Sequence, residues 1–217
     1  MNKRPNSKVN LDRAIQRLYG TQAKYVEIRS VIANTIVGQF LPEGVVKGGS
    51  ALRLRYGLDS TRVTIDFDTA HRNDLKTFIA TIETGLKDGW SGFTGEVVRR
   101  EPAQPKDIPA QYVMQPFDVK LRYLRQPWCT VRLEVGYDEI GDAQVAEEYI
   151  SDEVLSIFKS LCLEEPKPVP LMPLAHQVAQ NWDMLYADSA ESLPVLKTID
   201  EAIVWANDLV REIEESK

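Results

Sequence analysis

The chain has 217 residues, 43% of them apolar, and a formal net charge of −6, enough apolar material for one buried core or one core with a helical lobe. Two cysteines, Cys129 and Cys162, and two histidines, His71 and His176, exclude a disulfide framework and a zinc cluster. No window of about 18 uninterrupted apolar residues occurs, and "MNKRPNSKVNLDRAIQRLYG" has no apolar run of signal-peptide length, so a cytoplasmic protein without a membrane segment is expected.

The first forty residues predict two helices. Leu11, Ala14, Ile15 and Leu18 fall on one face of the first, and Ile28, Ile32, Ile36 and Phe40 stripe the second. "LPEG" at 41–44 breaks that pattern, and "VVK" predicts a short strand entering "GGS". "ALRLRYG" suits a helix ended by Gly57, and "VTIDFDT" alternates like a strand. "NDLKTFIATIETGLKDGW" predicts a helix capped by Asn73 and lined by Leu75, Phe78, Ile79, Ile82 and Leu86. Strands are then expected around "GEVVRR", "QYVMQ", "FDVKLRYL" and "CTVRLEVGY", with "EPAQPKDIPA" as a proline-broken loop. From about residue 143 the pattern is helical, interrupted by the linker "EEPKPVPLMP". These elements predict two domains, 1–165 and a helical lobe over 166–217.

One stretch carries chemistry: "VVKGGSALRLRYGLDSTRVTIDFDTA", residues 45–70. Residues i and i+2 of a strand share a face, so Asp66 and Asp68 set two carboxylates side by side while Ile65 and Phe67 pack behind. Such a pair repels itself unless a proton or cation intervenes, and hard divalent cations are held by one or two carboxylates together with substrate phosphates. Gly48 and Gly49 let backbone N–H groups approach phosphate oxygens at the start of a helix, Ser50 adds a hydroxyl, and Arg53, Arg55 and Arg62 supply positive charge. Glu134 in "TVRLEVGY" is the candidate third carboxylate, on the same strand parity as Arg132, and Lys120 in "FDVKLRY" is a candidate phosphate ligand. The pattern points to in-line phosphoryl transfer supported by Mg2+ (or Mn2+). Residues 1–125 carry 20 Lys and Arg against 13 Asp and Glu, a net of +7, while 126–217 carry 6 against 19, a net of −13. The basic half holds the motif, which favours a polyanionic partner.

"GGS" followed by "DFD" and a later acid resembles the polymerase-beta-type nucleotidyltransferase superfamily. "VVKGGSALRLRYG", "RVTIDFD" and "PLAHQVAQ" are more specifically similar to segments of the AbiEii-type nucleotidyltransferase toxins. The resemblance implies an α+β fold, with a small mixed sheet, flanking helices and a C-terminal helical lobe. It implies Asp66, Asp68 and Glu134 as catalytic and metal-binding residues, and Gly49 and Ser50 at the nucleotide phosphates with Arg62 beside them. The nucleotide-binding candidates are therefore Gly48, Gly49, Ser50, Arg53, Arg62, Lys120 and Arg132. It further implies transfer of a nucleotidyl group from an NTP to an acceptor such as the tRNA 3′ end, and a cognate antitoxin as partner. A small-molecule or protein acceptor, or a non-catalytic interaction protein that keeps the fold, are the alternatives.

Overall fold

Apolar spacing and local caps set the helices at the start of the chain. In α1 (Lys8–Tyr19) the Ser7 hydroxyl accepts from the Asn10 amide, Gly20 ends the helix at φ 75°, and Leu11 and Ile15, one turn apart, are fully buried. Leu18, expected on the same face, is 47% exposed. In α2 (Gln22–Gly38), Thr21 caps the start and Ile28, Ile32 and Ile36 are all fully buried. The computed structural model describes residues 3–58, 64, 66–72, 74–102, 113–138, 141–179 and 199–215.

The strands are β1 (Gly44–Val46), β2 (Asp66–His71), β3 (Phe93–Arg99), β4 (Gln115–Tyr123), β5 (Gln126–Tyr137), β6 (Glu147–Tyr149) and β7 (Val169–Leu171). They form one mixed sheet in the order β3-β4-β5-β2-β1-β7-β6. β3, β4 and β5 run as an antiparallel meander, β5 pairs parallel with β2, β2 antiparallel with β1, β1 parallel with β7, and β7 antiparallel with β6. The sheet has one packed side. Phe67, Phe117, Val119, Leu121, Val131, Leu133 and Val135 are buried, while alternate residues of β4 and β5 are polar and open.

α3 (Gly48–Tyr56) follows β1 directly and ends at Gly57, φ 86°. α4 (Leu75–Asp88) buries Phe78, Ile82 and Leu86. Its cap is Asp74, whose carboxylate accepts from the Thr77 amide at 2.8 Å, one residue after the expected Asn73, which lies outside the described residues. α5 (Asp152–Ser160) is capped by Ser151 and carries Asp152 and Glu153 in its first turn, where the helix dipole favours acids.

The region after residue 143 differs from a continuous helical reading. A 3-10 turn over Asp142–Gln144, β6 and then α5 occupy it, and β7 lies inside the proline-rich segment expected to be a linker. Strands of three residues tolerate Pro170 where a long ladder would not, and their brevity hides them from any periodicity. "QYVMQ" contributes only Gln115 to a strand. Val113 and Met114 are irregular, and Gln111 and Tyr112 lie outside the described residues, as does most of "EPAQPKDIPA".

The chain divides into two compact units, Met1–Leu171 and Met172–Lys217. In the second, residues 174–179 are helical (α6) and Ile199–Glu215 form α7. No helix of the described residues is long and apolar enough to cross a membrane.

Candidate active site

The site is built where β1 turns into α3 beside β2. Gly48 has φ 64°, a left-handed conformation that glycine alone adopts without strain. A Cβ on it would stand 2.6 Å from Oδ2 of Asp68, so the absent side chain is what lets the Asp68 carboxylate sit against the turn. The Lys47 amide donates to the Asp68 carbonyl at 2.9 Å, which ties the turn to β2. The Lys47 side chain makes no capping hydrogen bond at the start of α3, where backbone N–H groups and the positive end of the helix dipole concentrate.

Register brings the acids together. β2 and β5 run parallel with Asp66 opposite Arg132 and Asp68 opposite Glu134, so one face of two adjacent strands carries three carboxylates and a guanidinium. Phe67 and Leu133, on the opposite parity, are fully buried and fix which way the strands present these side chains. Ile65, expected to pack behind Asp66, lies outside the described residues, as does Arg62.

The electrostatic surroundings of Asp68 disfavour its ionised form. Burial, then the neighbouring Glu134 and Asp66 carboxylates, push the Asp68 carboxyl up to about 6, against a smaller opposing pull from the Lys47 ammonium. Lys47 Nζ lies over β5, 3.5 Å from where a Cβ on Gly136 would stand. Among the described residues no three His, Cys, Asp or Glu side chains converge closely enough to hold a metal by themselves. The donors therefore fit a hard divalent cation held by one or two carboxylates and completed by ligand oxygens or water, as Mg2+ usually is, rather than an all-protein cage.

The other expected residues divide. Lys120 and Arg132 are exposed on the same open face as the acids. Ser50 is 1% exposed and its hydroxyl is engaged, donating to the Asp66 carbonyl at 2.8 Å and accepting from Asn34 Nδ2 at 3.2 Å, so it braces the glycine turn against β2. Arg53 is turned inward, 3% exposed and paired with Glu27 at 2.8 Å, away from the open face. Arg55 pairs with Glu147. Two contributors were not legible as site residues beforehand. Lys47 precedes the glycines, and its position in "KGGS" is the signal that would have found it, whereas Asn34 sits mid-helix with no local mark.

A glycine turn set against facing carboxylates in the middle of a mixed sheet defines the class of protein that handles a phosphate-bearing ligand. The chain matches the profile of the nucleotidyl transferase AbiEii toxin family of type IV toxin–antitoxin systems over residues 36–190, and it belongs to that family. MenT4, a nucleotidyltransferase toxin of Mycobacterium tuberculosis, is similar in fold, with 16% identity and a TM-score of 0.51 over 82% of this chain. This chain spans 58% of the MenT4 chain. Two Helicobacter pylori structures, a putative nucleotidyltransferase and JHP933, align over 88% and 86% of this chain and 97% and 91% of their own, each at 12% identity, with TM-scores of 0.35 and 0.34. No curated protein matches the chain by sequence.

Proposed function

We propose that the protein transfers a nucleotidyl group from an NTP to the 3′ end of tRNA, acting as the toxin of a toxin–antitoxin pair with a cognate antitoxin as its opposing partner. The observation that carries this reading is the Asp68 carboxylate, wedged against Gly48 and opposite Glu134, with its charge offset only in part, by Lys47. A group so arranged is suited to a ligand that brings positive charge with it. Mg2+ (or Mn2+) held by one or two of Asp66, Asp68 and Glu134, with ligand oxygens completing its shell, would neutralise developing charge on the phosphate oxygens.

The residues of the chain do the rest. Backbone N–H groups at the start of α3, at Gly48 and Gly49, hold phosphate oxygens, with Ser50 bracing the turn from behind. Lys47, Lys120 and Arg132 balance the triphosphate charge. An acceptor hydroxyl attacks the α-phosphorus in line, the bond to the bridging oxygen of the β-phosphate breaks, and pyrophosphate leaves. The acceptor proton passes to Glu134 or Asp68, the facing carboxylates.

The test is to incubate the protein and its Asp68→Ala variant with magnesium, total tRNA and each radiolabelled NTP in turn. Label on tRNA from wild type alone supports the reading and names the nucleotide. Label on protein or a small molecule moves the acceptor, and no label with any NTP overturns nucleotidyl transfer.

A further inference from the structure

The face of the sheet that bears the carboxylates continues past them as a line of cations. Along β4 the open positions recur every second residue, about 6.6–6.8 Å apart, whereas on β5 a register shift breaks the alternation beyond Thr130. Moving from the Asp68–Glu134 pair toward the β4–β5 hairpin, the rows are Asp66–Arg132–Asp118 and then Thr130–Lys120, with Arg122 two residues further along β4. Arg132, Lys120 and Arg122 are all exposed, and so is Arg125 at the hairpin tip. Two acids face this line. Asp118 lies 3.7 Å from Arg100 and Glu96 lies 3.8 Å from Arg122, both exposed contacts of the kind that contribute little and yield to a stronger anion.

The hairpin tip is built against local preference. Leu124 and Arg125 have φ 46° and 68°, the left-handed pair that a two-residue hairpin turn requires and that Asn-Gly supplies without strain. Two such residues cost stability, and backbone outliers of this kind collect at functional positions. The Leu124 amide donates to the Gly92 carbonyl at 2.9 Å, which holds the tip in place, and the Arg4 guanidinium and the Leu124 side chain converge over Gly92. The tip therefore presents Arg125 on a fixed turn and sets a further cation next to it.

We propose that this open face is the docking track for the acceptor nucleic acid, with its reactive end at Asp68 and Glu134 and its backbone phosphates following Arg122 and Arg125 toward the hairpin, beyond the Arg132 and Lys120 assigned to the triphosphate. The track rests on the transferase reading only for its direction. A row of evenly spaced cations on β4 is what contact with backbone phosphates needs. The face offers little to a protein partner, since its exposed large apolar side chains in β3, β4 and the hairpin are the separate Val98 and Leu124.

The experiment measures Kd for total tRNA as a function of salt, by fluorescence polarisation, for the full chain and for Arg122→Ala/Arg125→Ala, with circular dichroism melts of both. The expected result is a Kd raised roughly tenfold in the double variant, a salt slope smaller by about 2, and an unchanged melt. An unchanged Kd and slope overturns the track, as does a wild type that binds no tRNA. Wild type that labels tRNA while the double variant binds like wild type sinks the track and leaves the transferase reading standing. Salt-dependent binding lost in the double variant, with no labelling by wild type, supports the track and removes the transferase reading instead.

Discussion

Asp68→Asn should stabilise the metal-free protein while abolishing transfer. The folded protein holds this carboxyl up to about 6, against 3.8 for an unperturbed aspartate, so folding disfavours its ionised form. The sign follows directly: below the unfolded value the group is protonated in both states and costs nothing, the penalty grows as pH rises through that interval, and above the folded value it is complete. Each decade of proton affinity is worth about 1.36 kcal/mol, and screening by solvent at this partly exposed group reduces the total to about 1–2 kcal/mol. Asparagine keeps the shape that fits against Gly48 and removes the charge. In EDTA at pH 8 the variant should melt about 4 °C above wild type, with the gain gone by pH 3.5. Adding magnesium should raise wild type more than the variant, because binding to the folded state alone adds stability. A gain that does not change with pH, or a loss at pH 8, would refute the electrostatic account of the site.

Gly48→Ala should cost about 1–2 kcal/mol from the left-handed backbone and also displace the Asp68 carboxylate, so transfer falls with stability. Gly20→Ala has the same conformational problem at φ 75° with nothing within 4 Å of the new Cβ, and should lose a similar amount of stability in a denaturant melt while keeping activity. Equal losses of activity would separate function from the Gly48–Asp68 contact. Glu27→Ala removes the carboxylate paired with the buried Arg53 guanidinium and should cost about 3–5 kcal/mol, whereas Glu27→Met with Arg53→Met should be far milder, as urea titrations of both would establish. Burial pushes the Cys129 thiol up to about 12, with Asp12 adding to the rise and Arg29 opposing it, so iodoacetamide at pH 8 should label Cys129 only after denaturation, read by peptide mass spectrometry.

The sequence was legible where a single period settles a side chain's environment. The alternation in "TIDFDT" separates Asp66 and Asp68 from Phe67, and the repeated spacing of four in α2 brings Ile28, Ile32 and Ile36 to one buried face. The same parity rule puts Glu134 on the face of Arg132, but the pairing of Asp68 with Glu134 is a register between distant strands, which no local pattern encodes. Cations were harder to read. "ALRLRYG" offers Arg53 and Arg55 in the right place for phosphates, yet helix geometry turns Arg53 inward, and its partner Glu27 sits in a different helix. β6 and β7 are three residues each, too short to show alternation, and they form only because β1 has an edge left to extend.

The distribution of charge around the glycine turn gives the site its character. The cations of α3 are engaged elsewhere, Arg53 by Glu27 and Arg55 by Glu147, so they do not neutralise the carboxylates of β2. Lys47, the residue beside the turn, offsets Asp68 only in part. Asp68 is thus left short of positive charge, while further cations lie along the open face at Lys120, Arg122 and Arg125. Separating the two charges on one face costs stability and gives a long anion two different ends to meet, a cation-lined stretch for its phosphates and a carboxylate pair where charge must be supplied from outside. Moving a cation toward the acids should therefore trade activity for stability: Thr69 and Ala70 are buried, so the accessible place is Thr64, two residues before Asp66. Thr64→Lys should raise the metal-free melting temperature at pH 8, leave it unchanged at pH 3.5, and lower transfer by competing with the metal. A variant that gains stability at both pH values would show that the gain comes from packing and that the acids are already balanced.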